Sequence, residues 1–344
     1  MVARGGIRRK VLGGFLEFRL IPVLLWSYTA VVLGTALAFL DTGTIDLGWF
    51  VVAMALAGLV QGWETHTVNE IYDWSSGTDR DASPRALSGG SKVRNLELLD
   101  QRDLWILFGA SSIAIVGLAA VVGVLRSPWL VPLVAAAYLL GLAYTLPPVA
   151  TAYRPLAGEW LGGFPGVLLA GLGAYAIQTR TFSWTALAAL SAHAFVCVAM
   201  LVTHHYADAG ADARARPPKR TVVVVFGPRW ARAYATIAAG CAAAIYAALA
   251  LTVHLAFLLG AGFTLIAVAS HGTVAVQDLK TVTRHELRII QLGIAAGLST
   301  AVVLAPPLWP MLPLAALGYA AHLAAVSPPV ELRRAWRRAC PRPR

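Results

Sequence analysis

Two short runs carry nearly all the residues whose types and spacing suit a chemical task. The first reads Asn69-Glu70-Ile71-Tyr72-Asp73 and continues through Gly77 to Asp79, Arg80 and Asp81. On a helix, Asn69 and Asp73 are four apart and share a face, with Glu70 beside them. A glycine at 77 is suited to end that helix and return Asp79 toward the same face. The second run is His204-His205-Tyr206-Ala207-Asp208-Ala209-Gly210-Ala211-Asp212. His205, Asp208 and Asp212 recur at i, i+3 and i+7, again on one face. Hard oxygen donors suit Mg²⁺, which binds through one or two carboxylates, retains water and shares substrate phosphate oxygens. Acids alone would repel a diphosphate. Two acidic clusters facing one another, each loaded with metal, would hold one. A single cluster reads better as a solvated helix end balancing nearby arginines. Two clusters of the same plan, each followed by cations, favour metal and phosphate.

The cations lie just downstream. Arg85-Ala86-Leu87-Ser88-Gly89-Gly90-Ser91-Lys92 follows the first cluster, and Lys219-Arg220-Thr221 the second. Arg85, Lys92, Lys219 and Arg220 are candidates for phosphate oxygens, and the Ser-Gly-Gly-Ser run can offer backbone N–H groups. Their alternative role is to set membrane topology, and that role is favoured for Arg80, Arg214 and Arg216.

The elements that must position these runs are membrane helices. Of 344 residues, 58% are hydrophobic and 13% charged, and mean hydropathy is +0.66. A soluble domain carries roughly 25% charged residues, so both a soluble fold and disorder are excluded. A span needs about 20 mainly apolar residues. Segments 19–40, 48–69, 104–125, 128–146, 159–178, 184–206, 230–252, 254–272, 288–305 and 309–326 qualify, which predicts an all-α bundle. Prolines crowd the start of the last. The chain divides into a basic N-terminus (1–18), the membrane domain (19–326) and a basic tail (327–344). The net charge of +11 does not call for nucleic acid. Arg126 and Arg180 apart, the arginines and lysines outside the segments fall in the termini and in loops 70–103, 147–158, 207–229 and 273–287. Ten spans put all of these on one side, the cytoplasmic one by the positive-inside rule. No cleavable signal peptide is read. Cys197, Cys241 and Cys340 form no metal or disulfide pattern.

On these motifs the sequence resembles the UbiA family of intramembrane prenyltransferases. The family's first aspartate-rich motif is matched by Asn69, Glu70, Asp73 and Asp79, with Glu70 where an Asp is usual. The second is matched by His205, Asp208 and Asp212, with His205 where an Asn is usual. Arg85-Ala86-Leu87-Ser88-Gly89 resembles the stretch after the first motif, and Lys219-Arg220-Thr221 with 222–227 the one after the second. Tyr144-Thr145-Leu146-Pro147-Pro148 resembles a turn of the family. The resemblance spans roughly 15–305. The stretch from Gly158-Glu159 to Gln178-Thr179 is most similar to 1,4-dihydroxy-2-naphthoate prenyltransferases (MenA-like).

The resemblance implies about nine helices around a central cavity open to the cytoplasmic side of the cell membrane. It implies Mg²⁺-dependent transfer from a polyprenyl diphosphate to an acceptor, commonly an aromatic ring, in quinone biosynthesis. Asn69, Glu70, Asp73 and Asp79 would hold one metal, and His205, Asp208 and Asp212 another. Arg85, Lys92, Tyr144, Lys219 and Arg220 would contact the diphosphate. Tyr144, Tyr153 and Trp160 are candidates to line the cation's route, although an interfacial aromatic belt is the preferred reading for Tyr153 and Trp160. His66, His193, His254, His271, His285 and His322 read as isolated structural residues, and Glu64 and Glu159 as lying near helix ends. Other acceptors, such as 4-hydroxybenzoate, homogentisate or a glycerol phosphate ether, fit the same motifs. A transporter would instead place ionisable residues near the bilayer midplane, and the spans are almost free of them. With ten spans, a C-terminal reporter active only in the cytoplasm should be active. Activity of a reporter that works only outside would remove one span.

Overall fold

The computed structural model describes residues 6–80, 82, 87 and 89–326, with the side chain of Leu279 left aside. Arg85 and the tail 327–344 lie outside the described residues, as does Arg4 of the N-terminus. Within them the chain is helical and contains no strand. All ten expected segments appear as helices: α1 (Ile7–Thr42), α2 (Leu47–Ser76), α3 (Gln101–Leu125), α4 (Pro128–Thr145), α5 (Gly158–Thr179), α6 (Trp184–Arg214), α7 (Pro228–Thr252), α8 (Phe257–Thr273), α9 (Lys280–Leu304) and α10 (Pro306–Val326). Nine of these described helices are long and apolar enough to cross a membrane. The short one is α8, not the proline-led α10. Its 17 residues reach about 26 Å at 1.5 Å per residue.

Two departures from the expected boundaries build the site. Helices α2 and α6 outrun their apolar windows and end at Ser76 and Arg214. Asn69, Glu70 and Asp73, and likewise His205, Asp208 and Asp212, therefore stand on the last turns of membrane helices, as their helical spacing suggested, and Asp79 follows in the turn after Gly77. The basic start is also not a free arm. Residues 7–17 are helical, and Leu16 packs with Val93, Leu99 and Leu104. Lys10 Nζ meets Asp103 Oδ1 at 2.6 Å. The helix breaks at Phe18–Arg19, where Arg19 takes a left-handed φ of 50°.

Helices α1 and α6 are the most buried, and α5 and α9 pack against both. Close approach replaces the hydrophobic drive that lipid cannot supply. A Cβ on Gly34 of α1 would stand 2.1 Å from the Gly171 carbonyl oxygen of α5. Three π-helical turns interrupt the bundle, at Leu24–Tyr28, Gly58–Thr65 and Gly158–Gly163. Such turns are frequent at functional sites, and here Trp26, Ser27, Gln61, Thr65, Gly162 and Gly163 from them all line one cavity. Helix α10 lies outside the rest, with Gly318 against Leu20 of α1.

Gly34→Val should lower the thermal midpoint in detergent, because overpacking of this kind costs about 1–3 kcal/mol or more. Gly240→Ala on α7, where a Cβ would meet nothing within 4 Å, should leave the midpoint unchanged. Equal midpoints for the two variants would show that the α1–α5 contact is not tight.

Candidate active site

The ends of α2 and α6 meet at the mouth of that cavity. Asn69, Asp73, Asp79, His205, Asp208, Asp212 and Lys219 line it together. Gly77 ends α2 with φ 93°, as its position suggested. The chain turns back so that the Asp79 N–H donates to the Asp73 carbonyl at 3.3 Å. The segment after α6 returns in the same way. Arg216 N–H donates to Ser76 O (2.8 Å), Lys219 N–H to Asp212 O (2.9 Å) and Arg220 N–H to Tyr153 O (3.3 Å).

Asp73 is the centre, at 1% exposure. Its Oδ2 accepts from Lys219 Nζ at 2.7 Å and from Asn69 Nδ2 at 3.1 Å. Its Oδ1 accepts from the Tyr153 hydroxyl at 2.6 Å. Asn69 also donates to Thr145 Oγ1 at 3.1 Å, which ties α2 to the end of α4. Burial pulls the Lys219 amine down, but the Asp73 and Asp212 carboxylates outweigh it and hold the amine well above its usual range. Burial, then Asp73, then Glu70, pushes the Asp79 carboxyl well up.

The sequence offered the backbone N–H groups of the 87–92 run to phosphate, and in the structure those of Gly89 and Ser91 donate to the protein's own carboxylates. Ser91 N–H and Oγ both donate to Glu70 Oε2 at 2.8 Å. Gly89 N–H donates to Asp208 Oδ2 at 3.1 Å, joining the first segment to the second cluster. Lys92 Nζ donates to the Gly89 carbonyl. Its amine is lowered, first by burial, against the pull of Asp208, Asp79 and Glu70.

Several acceptor atoms remain without a partner. Asp212 Oδ1 and Oδ2, Glu70 Oε1, Asp79 Oδ2 and His205 Nδ1 are buried and bonded to nothing described. A Cβ added to Gly90 would stand 2.5 Å from Asp79 Oδ2 and 2.6 Å from Glu70 Oε2, so two carboxylates converge on a space only glycine leaves open. This orphaned, oxygen-rich set fits a hard cation. Among the described residues, no group of three His, Cys, Asp or Glu side chains could hold a metal by itself.

The sequence profile of the UbiA prenyltransferase family matches residues 24–287. The chain belongs to this family. No curated protein matches the chain. Among solved structures, a UbiA homologue from Archaeoglobus fulgidus bound to GPP and Mg²⁺ is similar at TM-score 0.59 and 16% identity. That match covers 84% of this chain and 99% of the homologue. The same homologue bound to DMAPP and Mg²⁺ matches at TM-score 0.58 and 16% identity, over 82% and 98%. The apo UbiA homologue from Aeropyrum pernix K1 matches at TM-score 0.52 and 15% identity, over 86% and 98%. The family profile ends within α9, so α10 lies beyond it.

Some expected site residues of this UbiA prenyltransferase stand elsewhere. Arg220 is exposed and does not line the cavity, contributing only its backbone N–H. Arg85 is outside the described residues. His205 is inward but 3.9 Å from Glu159, too far for a hydrogen bond. Tyr144 lines the cavity. Tyr153 is not interfacial: it is 7% exposed, holds Asp73, and also bonds Ser76 Oγ at 2.9 Å. Trp160 is 38% exposed, with its ring against Phe164 and Phe195.

Glu64 is not at a helix end, because α2 continues past it. It is fully buried, and Oε2 accepts from Thr65 at 2.9 Å. His271 and His285 are not isolated but paired at 3.1 Å. Residues not anticipated are Arg19, which lines the cavity and donates to Leu87 O at 3.2 Å, and Glu17, fully buried beside it. The signal was present in Glu17 and Arg19, two charges interrupting an apolar run.

Tyr153→Phe removes the hydroxyl and leaves Asp73 Oδ1 short of a donor. It should destabilise the protein by about 1–3 kcal/mol, read as a lower thermal midpoint, whereas Trp160→Phe should change little. An unchanged midpoint in Tyr153→Phe would show that the phenol does not hold Asp73.

Proposed function

We propose that the chain transfers an isoprenyl group from a polyprenyl diphosphate to an aromatic acceptor such as 1,4-dihydroxy-2-naphthoate, with Mg²⁺. It does so in the cell membrane, with the site and both termini on the cytoplasmic side. One observation carries this reading: two acidic helix ends, joined through Lys219 and the Gly89–Asp208 contact, face one cavity whose deeper wall is mainly apolar. The fold likeness to the Archaeoglobus fulgidus homologue bound to GPP or DMAPP with Mg²⁺ supports it.

Asn69, Glu70, Asp73 and Asp79 would hold one metal, and Asp208 and Asp212, with His205 beside them, another. Bound there, Mg²⁺ would neutralise the diphosphate and act as a Lewis acid on its oxygens. Lys219 is the fixed cation at the mouth. As the allylic C–O bond breaks, the electron pair leaves with the diphosphate, and a cation already in place needs no reorganisation to meet it. Lys92 and Arg85 stand in the same loop sequence for the outer phosphate. Tyr144 lines the route from diphosphate to acceptor.

The prenyl tail would lie deeper. Ala53 lines the cavity sixteen residues before Asn69 on α2, about 24 Å at helical rise. Val122, Leu130 and Ile177 line its far end. These walls exclude water that would quench an allylic cation. The acceptor carbon forms the new C–C bond and releases its ring proton.

The decisive assay uses membranes with labelled geranylgeranyl or farnesyl diphosphate and a panel of acceptors led by 1,4-dihydroxy-2-naphthoate. Wild-type protein should prenylate an acceptor only with Mg²⁺ present. Asp73→Ala should insert normally and lose on the order of 100-fold or more of the activity. Full activity in that variant would remove Asp73 from the site. Transfer only to other acceptors would keep the chemistry and discard the naphthoate.

A further inference from the structure

Ser27 and Gln61 form a polar pair on the cavity wall, away from the acidic mouth. Ser27 lies in the π-helical turn of α1 and Gln61 in that of α2, and both line the cavity. The Ser27 hydroxyl donates to Gln61 Oε1. Gln61 is eight residues before Asn69 on α2, about 12 Å at helical rise. Farther along the same helix the lining residues are Val60, Ala57, Leu56 and Ala53, all apolar. The pair therefore marks the border between the polar mouth and the apolar channel.

The direction of the Ser27 bond follows from what else needs a donor. In the π-helical turn of α1, Thr29 Oγ1 donates to Leu24 O at 2.6 Å and His193 Nε2 donates to Leu25 O at 2.8 Å. Ser27 is not spent on the backbone, and Gln61 Oε1 is the acceptor its hydroxyl has among the described residues. With the amide reversed, that O–H would have none. The arrangement leaves the Gln61 N–H₂, which carries two donors, without a partner among the described residues, yet not sealed from the cavity. Covering such a group with hydrocarbon is costly, so a prenyl chain does not answer it. A diphosphate held at the mouth does not reach it. An oxygen on a ring does both, and Trp26, beside Ser27, lines the same cavity with a flat apolar side chain. Pockets fix the orientation of a ligand through a few such polar groups in an apolar lining.

We propose that the Gln61 N–H₂ binds an oxygen, hydroxyl or carbonyl, on the ring of the prenyl acceptor, and that Ser27 is the positioning residue that holds the amide in that sense. The contact sets which end of the ring enters first: the oxygen-bearing end goes to Gln61, and the carbon to be prenylated stays toward the mouth. The inference rests on the prenyl-transfer reading for the name of its ligand, but the contact itself can be measured without turnover.

The test uses the purified full chain in detergent, with 1-acetylnaphthalene and 1-isopropenylnaphthalene as probes followed by calorimetry. The two have the same shape and differ in C=O against C=CH₂. The ketone oxygen only accepts, so it reads a donor on the protein. Uptake of the probes by detergent is common to all variants, so the ratio of the two affinities is compared between variants. Gln61→Leu should cut the wild-type preference for the ketone by about three- to tenfold, the worth of one neutral hydrogen bond, while affinity for the hydrocarbon stays within about twofold. Ser27→Ala should cut it part of the way, and Ser27→Thr, which keeps the hydroxyl, should retain it. Binding of geranylgeranyl diphosphate with Mg²⁺ is measured on the same samples and should stay within about twofold of wild type. No measurable ketone binding by wild-type protein, or a ratio that survives Gln61→Leu, overturns the proposal. Equal losses for both probes also overturn it, by showing that the pair merely joins α1 to α2. A ratio untouched by Ser27→Ala overturns the positioning role of Ser27. Failure of wild-type protein to bind the diphosphate would instead remove the prenyl-transfer reading, and the ketone ratio would still decide the Gln61 contact.

Discussion

A carboxylate at 1% exposure at the end of a membrane helix must be compensated, because a buried unpaired charge costs far more than a fold can absorb. Asp73 meets that constraint with three donors drawn from three places in the chain. Asn69 comes from its own helix, Tyr153 from the turn before α5, and Lys219 from the segment after α6. Each donor fixes a backbone segment. Once Lys219 is drawn in, its N–H closes on Asp212 O, and the two acidic helix ends are held at one mouth. The helices bring the groups near. The compensation of Asp73 sets their order.

The same logic separates residues that look equivalent in sequence. Lys219 and Arg220 are neighbours with similar charge, yet only one turns inward, because the chain makes a tight turn between them, with Thr221 N–H donating to Lys219 O at 3.0 Å. The inward one is partnered by carboxylates, and the outward one is exposed. Glu70 and Asp208 each accept through one oxygen from the 89–91 segment, whereas Glu70 Oε1, Asp79 Oδ2 and both Asp212 oxygens have no partner among the described residues. The site therefore contains carboxylate oxygens already answered by the protein and others left for an incoming cation.

Much of this was legible before any coordinates. Ten apolar segments became ten helices, and the spacing of Asn69 with Asp73, and of His205 with Asp208 and Asp212, put each set on one wall. Gly77 ended its helix. What could not be read was contact between distant residues. Tyr153 bonds Asp73 across 80 positions, and nothing in the run around Tyr153 distinguishes it from an interfacial aromatic. His271 and His285 meet only because α8 and α9 pack side by side. Glu286 falls in the 273–287 stretch read as a loop, and the packing of α9 against α6 leaves it 1% exposed. Boundaries failed in a related way, since hydropathy marks where lipid contact ends and not where hydrogen bonding stops.

The π-helical turns of α2 and α5 carry a wider consequence. A residue inserted into a helix rotates everything beyond it by roughly 100°, the angle per residue of a 3.6-fold helix. The half of α2 before Gly58 and the half after Thr65 therefore present unrelated faces to their surroundings. The first packs and lines the deep channel, and the second aims Asn69 and Asp73 at the mouth. One rod thus behaves as two independently keyed parts, so the gauge of the greasy bore can be recut without turning the polar head out of alignment.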